Sequence, residues 1–510
     1  MIAKVHTFAL VGINALCVEI EADVSGGLPN VSIVGLPDSA VRESKERVRA
    51  GIKNSGFTFP PDRITINLAP ADLRKEGSSF DLAIALGILA ASRQVEPATL
   101  KDTFFAGELA LNGEIRPVKG ALSMAIALKR RRIRNLVVPL RNAAEASAAG
   151  GVKVYGARTL RELVSFLYNP DMITPSSPTT HLGPPAAPEP EEDFSDVKGQ
   201  EAAKRALEVA ASGGHNILLI GPPGSGKTML ARRLTTILPE LTHEEALETT
   251  KIHSALGLTD SRLGLMKKRP FRAPHHTASD SALVGGGPTP QPGEITLAHN
   301  GVLFMDELPE FHRNVLEVLR QPMEDGRIQV ARAARSLVFP ARFMLVAAMN
   351  PCPCGRFGQE KSSCRCSAAQ VHKYRSRVSG PLLDRIDIHI EIPATKYREL
   401  SSGLSSEPSA RIKERVAKAR FLQRERFKNE GIFQNAQMNH RQVRQFCALG
   451  ETESELLKKA MAELNFSARA YDKILKVSRT IADKETSEHI KTEHLCEAIQ
   501  YRSLDRDLPA

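Results

Sequence analysis

"HNILLIGPPGSGKTMLARRL", residues 215–234, decides the fold. Its apolar run Ile217 to Ile220 predicts a short buried strand, the glycine-rich run that follows a loop, and "KTMLARRL" the start of a helix. Strand, loop and helix in that order are the context of a phosphate-binding loop. Gly221, Pro222, Pro223, Gly224, Ser225 and Gly226 form the cradle, whose available N–H groups converge on a β-phosphate at the helix N-terminus. Lys227 reaches the β- and γ-phosphates, and the Thr228 hydroxyl ligates Mg²⁺. ATP with Mg²⁺ is the expected ligand.

The second half of such a site is "GVLFMDELPEF" (301–311), an apolar strand ending in Asp306 and Glu307. Phosphoryl transfer needs charge compensation and an oriented nucleophile. Asp306 is expected to hold the hydrated Mg²⁺ and Glu307 to polarise the attacking water. A third apolar strand, "RFMLVAAMN" (342–350), ends in Asn350, which is placed to position the same water.

Outward from this core, "NPDMITPSSPTTHLGPPAAPEPEEDFSD" (169–196) is too polar and proline-broken to pack and reads as a linker. Before it, β-rich runs alternate with helical patterns; after it, strands and helices alternate to about residue 395 and the rest is helical. The class is α/β. The expected domains are 1–168, the linker 169–196, a nucleotide-binding core 197–395 and a helical lid 396–510. Within the 510 residues no apolar stretch reaches the roughly 18 to 20 needed to cross a bilayer, and the N-terminus does not read as a signal peptide. Seven cysteines make no disulfide framework, so a cytoplasmic setting is expected. A formal charge of +11 favours polyanionic partners, with clusters at "KRRRIR" (129–134) and at 411–428, where eight basic residues face two acidic ones.

The order "DVKGQEAAKRALEVAASGGHNILLIGPPGSGKT" (196–228), "MDELPEF", "AAMNPCPCG", "GPLLDRIDIHIEIP" (380–393) and "SARAYDKILKVSRTIAD" (467–483) resembles the magnesium-chelatase-like branch of AAA+ ATPases, and within it the YifB/ComM family. "GLPDSAVRESKERVRAGIKNSG" (35–56) and "ITINLAPADLRKEGSSFDL" (64–82) extend the likeness to the N-terminal domain. The resemblance implies an AAA+ core, a helical lid and an N-terminal domain similar to the C-terminal fold of Lon proteases. It also implies that Arg385 in "LLDRID" is an arginine finger for a neighbouring subunit of a hexamer and that Arg469 is the lid's sensor; Arg479, on the same predicted helix, is its competitor. Members of the family act as branch-migration helicases that help integrate incoming DNA during natural transformation. The rivals are a protein-remodelling ATPase like the magnesium-chelatase subunit and an ATP-dependent peptidase.

The peptidase rival turns on "KEGSSF" (75–80), which puts Ser79 at the serine position of the Lon-like fold. In "GELALNGEIRPVKGALSMA" (107–125), however, Leu122 stands where the activating lysine belongs, and Lys119 lies three residues earlier. A serine without a base of depressed pKa is a poor nucleophile. The expected role of Ser78 and Ser79 is to cap the following helix.

Between the second and third strands, "EDGRIQVARAARSLVFPARFMLV" (324–346) reads as a hairpin with Arg332 at its tip and Arg335 beside it. It is similar to the pore hairpin of related ring helicases, where guanidinium groups follow a phosphate backbone without reading sequence. A second insertion, "HHTASDSALVGGGPTPQPGE" (275–294), reads as another pore-facing loop. Cys352, Cys354, Cys364 and Cys366 form two C-x-C pairs that suit a structural, tetrahedral Zn²⁺. Cys17, Cys447 and Cys496 read as core residues.

Overall fold

The computed structural model describes residues 1–177, 192–259, 264–287, 289–332, 335–358, 364–394, 406–464 and 466–502. The middle of the expected linker and the expected boundary at residue 395 therefore lie outside the described residues. Two compact units account for the chain. The first comprises Met1–Ala187 together with Thr242–Lys267 and Gly287–Pro292, two segments the sequence reading placed with the nucleotide-binding core; the second takes the remainder.

The first unit is built on a seven-stranded mixed sheet. Ile2–Val11 and Asn14–Ser25 form a long antiparallel hairpin around a turn in which Gly12 takes a φ of +60°. Alternation sets its faces: Val5, Val18 and Ile20 are buried, while Lys4 reaches outward to Glu19 at 2.8 Å and Glu21 at 3.1 Å. Beyond Asp81, which pairs with Arg47 at 2.7 Å, the helix Asp81–Ala91 is apolar all round and every one of its residues is buried, which makes it the central helix of this unit. From Thr242–Lys267, Leu247 and Leu265 pack against a second apolar cluster of this unit, around Phe8, Leu122 and Met124. The Ser254 carbonyl accepts from Gly120 N–H at 2.9 Å, Thr259 donates at 3.2 Å to the buried Glu145 carboxylate, and the Ser254 hydroxyl donates to it too. Burial raises the Glu145 pKa above the usual carboxylate range.

The second unit carries a five-stranded parallel sheet in the order Phe271–Arg272, Val302–Met305, Met344–Met349, Ile217–Ile220 and Ile388–Glu391. Three of these strands, Val302–Met305, Met344–Met349 and Ile217–Ile220, are buried throughout, as parallel strands covered on both faces require. The carboxyl ends of an open parallel sheet are where a ligand crevice forms. Asn350 follows the strand next to the phosphate-loop strand, and Asp306 and Glu307 follow the one beyond. Arg327–Arg332 pairs antiparallel with Arg335–Pro340, so the expected hairpin is present, with Arg332 opposite Arg335 at its end. Residues 333 and 334 lie outside the described residues.

The C-terminal region is helical, including Ser409–Arg426, Ala468–Lys484 and Thr492–Gln500. Three of the eight basic residues of the run 411–428 are engaged in holding it together. Arg415 pairs with Glu208 at 2.7 Å and Glu407 at 2.5 Å, Arg420 is buried against the Ala211 carbonyl, and Arg426 pairs with the buried Asp483. No helix among the described residues is long and apolar enough to cross a membrane.

Candidate nucleotide-hydrolysis site

The helix Lys227–Ile237 starts from Gly226 at a φ of +87°, with Gly224 at +76°. A Cβ at either glycine would meet nothing within 4 Å, so the cradle is open beside the backbone. Ser225 Oγ within it is buried without a hydrogen-bond partner among the described residues. An open, glycine-lined turn with an unsatisfied hydroxyl at a helix N-terminus fits a phosphate group.

Lys227 folds back over this loop. Its Nζ donates to the carbonyls of Gly221 at 2.8 Å and Pro222 at 2.9 Å and to Asn350 Oδ1 at 3.2 Å. Burial lowers its pKa, against the opposing pull of Asp306 and Glu307. Thr228 Oγ1 donates to Asp306 Oδ2 at 2.7 Å. Five of the expected residues, Lys227, Thr228, Asp306, Glu307 and Asn350, thus stand at one end of the sheet. Glu307 takes a left-handed φ of +53°, its N–H bonded to Asp306 Oδ1 at 3.0 Å.

Glu307 has a neighbour that sequence reasoning missed. His276 Nδ1 lies 3.4 Å from Glu307 Oε2 and its ring meets Phe311 edge-on. The spacing of "HHTASD" carries no signal for that pairing. Glu324 was missed as well: it ion-pairs with Arg385 at 2.5 Å, while Arg385 also donates to the Pro381 carbonyl at 2.6 Å and leaves its buried Nε without a partner among the described residues.

The two lid arginines have opposite surroundings. Arg479 is buried, bonded to Asp483 at 3.1 Å and to the carbonyls of Glu488 at 2.7 Å and Ser487 at 2.5 Å. Arg469 is exposed in the first turn of the same helix and makes no hydrogen bond or ion pair among the described residues. Arg332 and Arg335 are located by backbone register alone.

Cys352, Cys354, Cys364 and Cys366 bring their sulfurs within 4.8 Å of one another. The Arg356 and Arg365 N–H groups, together with Cys352, hold the Cys354 thiol down to about 6. Cys447 is buried as expected, but Cys17 is half-buried and Cys496 is exposed, so the core reading fails for Cys496: its turn of the Thr492–Gln500 helix faces solvent.

The serine pair is also corrected in detail. The helix Asp81–Ala91 has Phe80 at its N-cap and no side-chain cap bond; Ser78 Oγ donates instead to the Glu108 carboxylate. Leu122 is fully buried in apolar surroundings with Phe8 and Met124, and Lys119 is exposed.

A glycine loop whose lysine and threonine meet the polar ends of two further parallel strands defines a P-loop ATPase fold. Residues 193–400 match the magnesium chelatase subunit ChlI family, residues 20–142 the family described as subunit ChlI of Mg-chelatase, and residues 406–502 the ChlI C-terminal family. The competence protein ComM of Haemophilus influenzae is 46% identical over 99% of this chain and 98% of its own length. The uncharacterized protein YifB of Escherichia coli K12 is 45% identical over 98% and 97%. The magnesium-chelatase 38 kDa subunit of Cereibacter sphaeroides is 28% identical over 31% of this chain and 52% of its own. The chain belongs to the YifB/ComM family of magnesium-chelatase-like AAA+ ATPases.

Proposed function

We propose that this protein is a cytoplasmic, hexameric ATPase that uses hydrolysis to translocate on DNA, promoting branch migration during recombination and natural transformation. The observation that carries the reading is an assembled nucleotide site with a basic hairpin, Arg327–Pro340, inserted directly before the strand that ends at Asn350. The relative named a competence protein supports the biological setting.

In this reading Lys227 neutralises the β- and γ-phosphates, and Thr228 and Asp306 hold Mg²⁺. Glu307 takes the proton of the attacking water, which Asn350 orients. Arg385 leaves Glu324 for the γ-phosphate bound by the next subunit, and Arg469 closes the lid over the nucleotide. A planar, always-charged guanidinium suits the charge that spreads over a transferring phosphoryl group. Arg332 and Arg335 contact the DNA backbone. Cys352, Cys354, Cys364 and Cys366 hold a structural Zn²⁺, since four sulfurs leave no open position for chemistry.

The likeness to the chelatase subunit favours a second reading, a remodelling ATPase acting through a protein partner. ATPase turnover measured with single-stranded, duplex and four-way DNA separates the two. Stimulation by DNA supports the translocase; turnover indifferent to every DNA structure overturns it in favour of the remodelling reading.

A further inference from the structure

The four-cysteine cluster is joined to the phosphate loop. Cys352 follows Asn350 by two residues and is completely buried, whereas Cys354 is exposed. Gly355, at a φ of +75°, lies so close to the loop that a Cβ there would come within 2.4 Å of Pro223 Cδ and 2.8 Å of its Cγ. Arg375 Nε holds the intervening Pro351 carbonyl at 3.1 Å, and its guanidinium stands 5.3 Å from the Phe357 ring. The segment therefore touches the nucleotide site at both ends of a short stretch: Asn350 on Lys227, and Gly355 on Pro223.

Among its described residues the order comes from short turns and from the Arg356 and Arg365 N–H groups on the Cys354 sulfur. Gly355 N–H closes one turn onto the Cys352 carbonyl at 2.9 Å, and Phe357 is left half in solvent. Fixing such a backbone costs on the order of 1 to 2 kcal/mol per residue. A metal clip supplies that order, because binding free energy becomes folding free energy where the ligands are brought together. The sulfur spacing suits one. Cys352, Cys354 and Cys364 are 3.4, 3.7 and 3.6 Å apart. A tetrahedral Zn²⁺ with Zn–S bonds of about 2.3 Å sets its sulfurs roughly 3.8 Å apart.

We infer that Zn²⁺ held by Cys352, Cys354, Cys364 and Cys366 locks the Asn350 strand end against the phosphate loop, so that metal occupancy sets the rate of ATP hydrolysis. The inference rests on the reading that the cluster binds zinc and adds to it a route: Gly355 onto Pro223, Asn350 onto Lys227. An ångström of misplacement at a positioning group is enough to cost about 100-fold in rate. Nucleotide binding, carried mainly by Lys227 and the loop backbone, is affected far less.

The test uses the full chain purified without chelator. Zinc released to a chromophoric indicator on thiol modification should reach about one per chain. Stripping the metal and restoring Mg²⁺ should lower kcat by about 10- to 100-fold. Affinity for a fluorescent ATP analogue should change by less than about 3-fold, and added Zn²⁺ should restore turnover. Because cysteine variants risk misfolding, Gly355→Ala is the companion: it keeps all four thiols and its zinc, melts somewhat lower because an L-residue is strained at a φ of +75°, and, assayed well below that melting temperature, should lose hydrolysis as the added methyl lifts the segment off Pro223. Protein that carries no zinc as isolated and is fully active overturns the zinc reading itself. Zinc-bearing protein whose stripped form, or whose Gly355→Ala variant, turns over at the wild-type rate overturns the coupling and leaves the zinc reading standing.

Discussion

Thr228 and Asp306 are hydrogen-bonded across 2.7 Å, although 78 residues separate them and a whole strand, Met344–Met349, lies between the strand that leads into the phosphate loop and the strand that Asp306 follows. The fold thus delivers both expected Mg²⁺ ligands to one point before either meets a metal. Glu307 follows at once and is not tied to that bond. Glu307→Gln should accordingly bind ATP with near wild-type affinity and hydrolyse it at least about 100-fold more slowly. Lys227→Ala should weaken binding itself. Nucleotide-binding titrations beside single-turnover hydrolysis distinguish the two, and Glu307→Gln turning over normally would remove Glu307 from the mechanism.

The lid helix makes a sharper prediction because its two arginines are so differently housed. Removing the Arg479 guanidinium strands two carbonyls, Ser487 and Glu488, and takes one partner from the buried Asp483. Arg479→Ala should cost about 3 kcal/mol and lower the melting temperature. Arg469→Ala should change stability by no more than about 0.5 kcal/mol yet slow hydrolysis. A stable, fully active Arg469→Ala protein would leave the lid sensor unassigned.

These contrasts mark where sequence suffices. Strand, glycine loop and helix at 215–234 are contiguous, so local pattern fixes them, and the strands ending at Met305 and Met349 are apolar runs that end in a polar side chain. The pairing of Glu307 with His276 and of Arg385 with Glu324 depends on loops and helices brought together by tertiary packing, and neither leaves a periodicity to read. Arg469 and Arg479 are chemically identical in sequence; only burial tells them apart. The capping role expected for Ser78 failed for a similar reason: Glu108, thirty residues on, offers its hydroxyl a charged acceptor that the following helix cannot match.

A buried charge cluster beneath the lid gives a pH prediction. His215 is fully buried, with Nε2 2.8 Å from Thr480 Oγ1 and Nδ1 3.3 Å from Asp387 Oδ2; Lys473 reaches the same carboxylate at 2.5 Å. Burial lowers the His215 pKa, with Lys476 and Lys473 assisting against Asp387. Burial alone would raise the Asp387 pKa, but Lys473 and His215 outweigh it and hold it below the usual range. Because the unfolded chain takes up a proton near pH 6.5 that the folded His215 refuses, stability is present above that pH and lost as pH falls below it. The loss approaches about 1.4 kcal/mol per pH unit at most. Thermal melts from pH 7.5 to 5.5 should fall less steeply for His215→Gln than for wild type; parallel slopes would exclude this histidine.

In the first unit, Ser79→Ala should leave ATPase activity within about 2-fold of wild type and should abolish no proteolysis, since a serine lacking an activating base is a poor nucleophile. The position that would supply the base is Leu122, sealed in an apolar core. ATP-dependent cleavage of an unfolded protein by wild type, lost in Ser79→Ala, would reverse this.

On the proposed reading, the hairpin decides what the ATPase moves. Arg332 and Arg335 are backbone partners in the last register pair of a two-stranded ribbon, remote in the chain from Lys227 and Thr228. Their removal should therefore separate DNA engagement from basal chemistry. Arg332→Ala/Arg335→Ala should hydrolyse ATP at the basal rate and lose DNA stimulation. The slope of log binding constant against log salt should flatten by roughly 0.7 to 0.9 for each DNA phosphate that is no longer neutralised. Arg385→Ala should do the reverse, binding ATP and DNA without turnover. Mixed with Lys227→Ala subunits it should regain part of the activity, because an intact pocket then meets an intact finger at some interfaces. A hairpin variant that moves branched DNA as well as wild type would take Arg332 and Arg335 out of the DNA path, while failure of the mixed rings to recover any hydrolysis would place Arg385 within its own subunit's site.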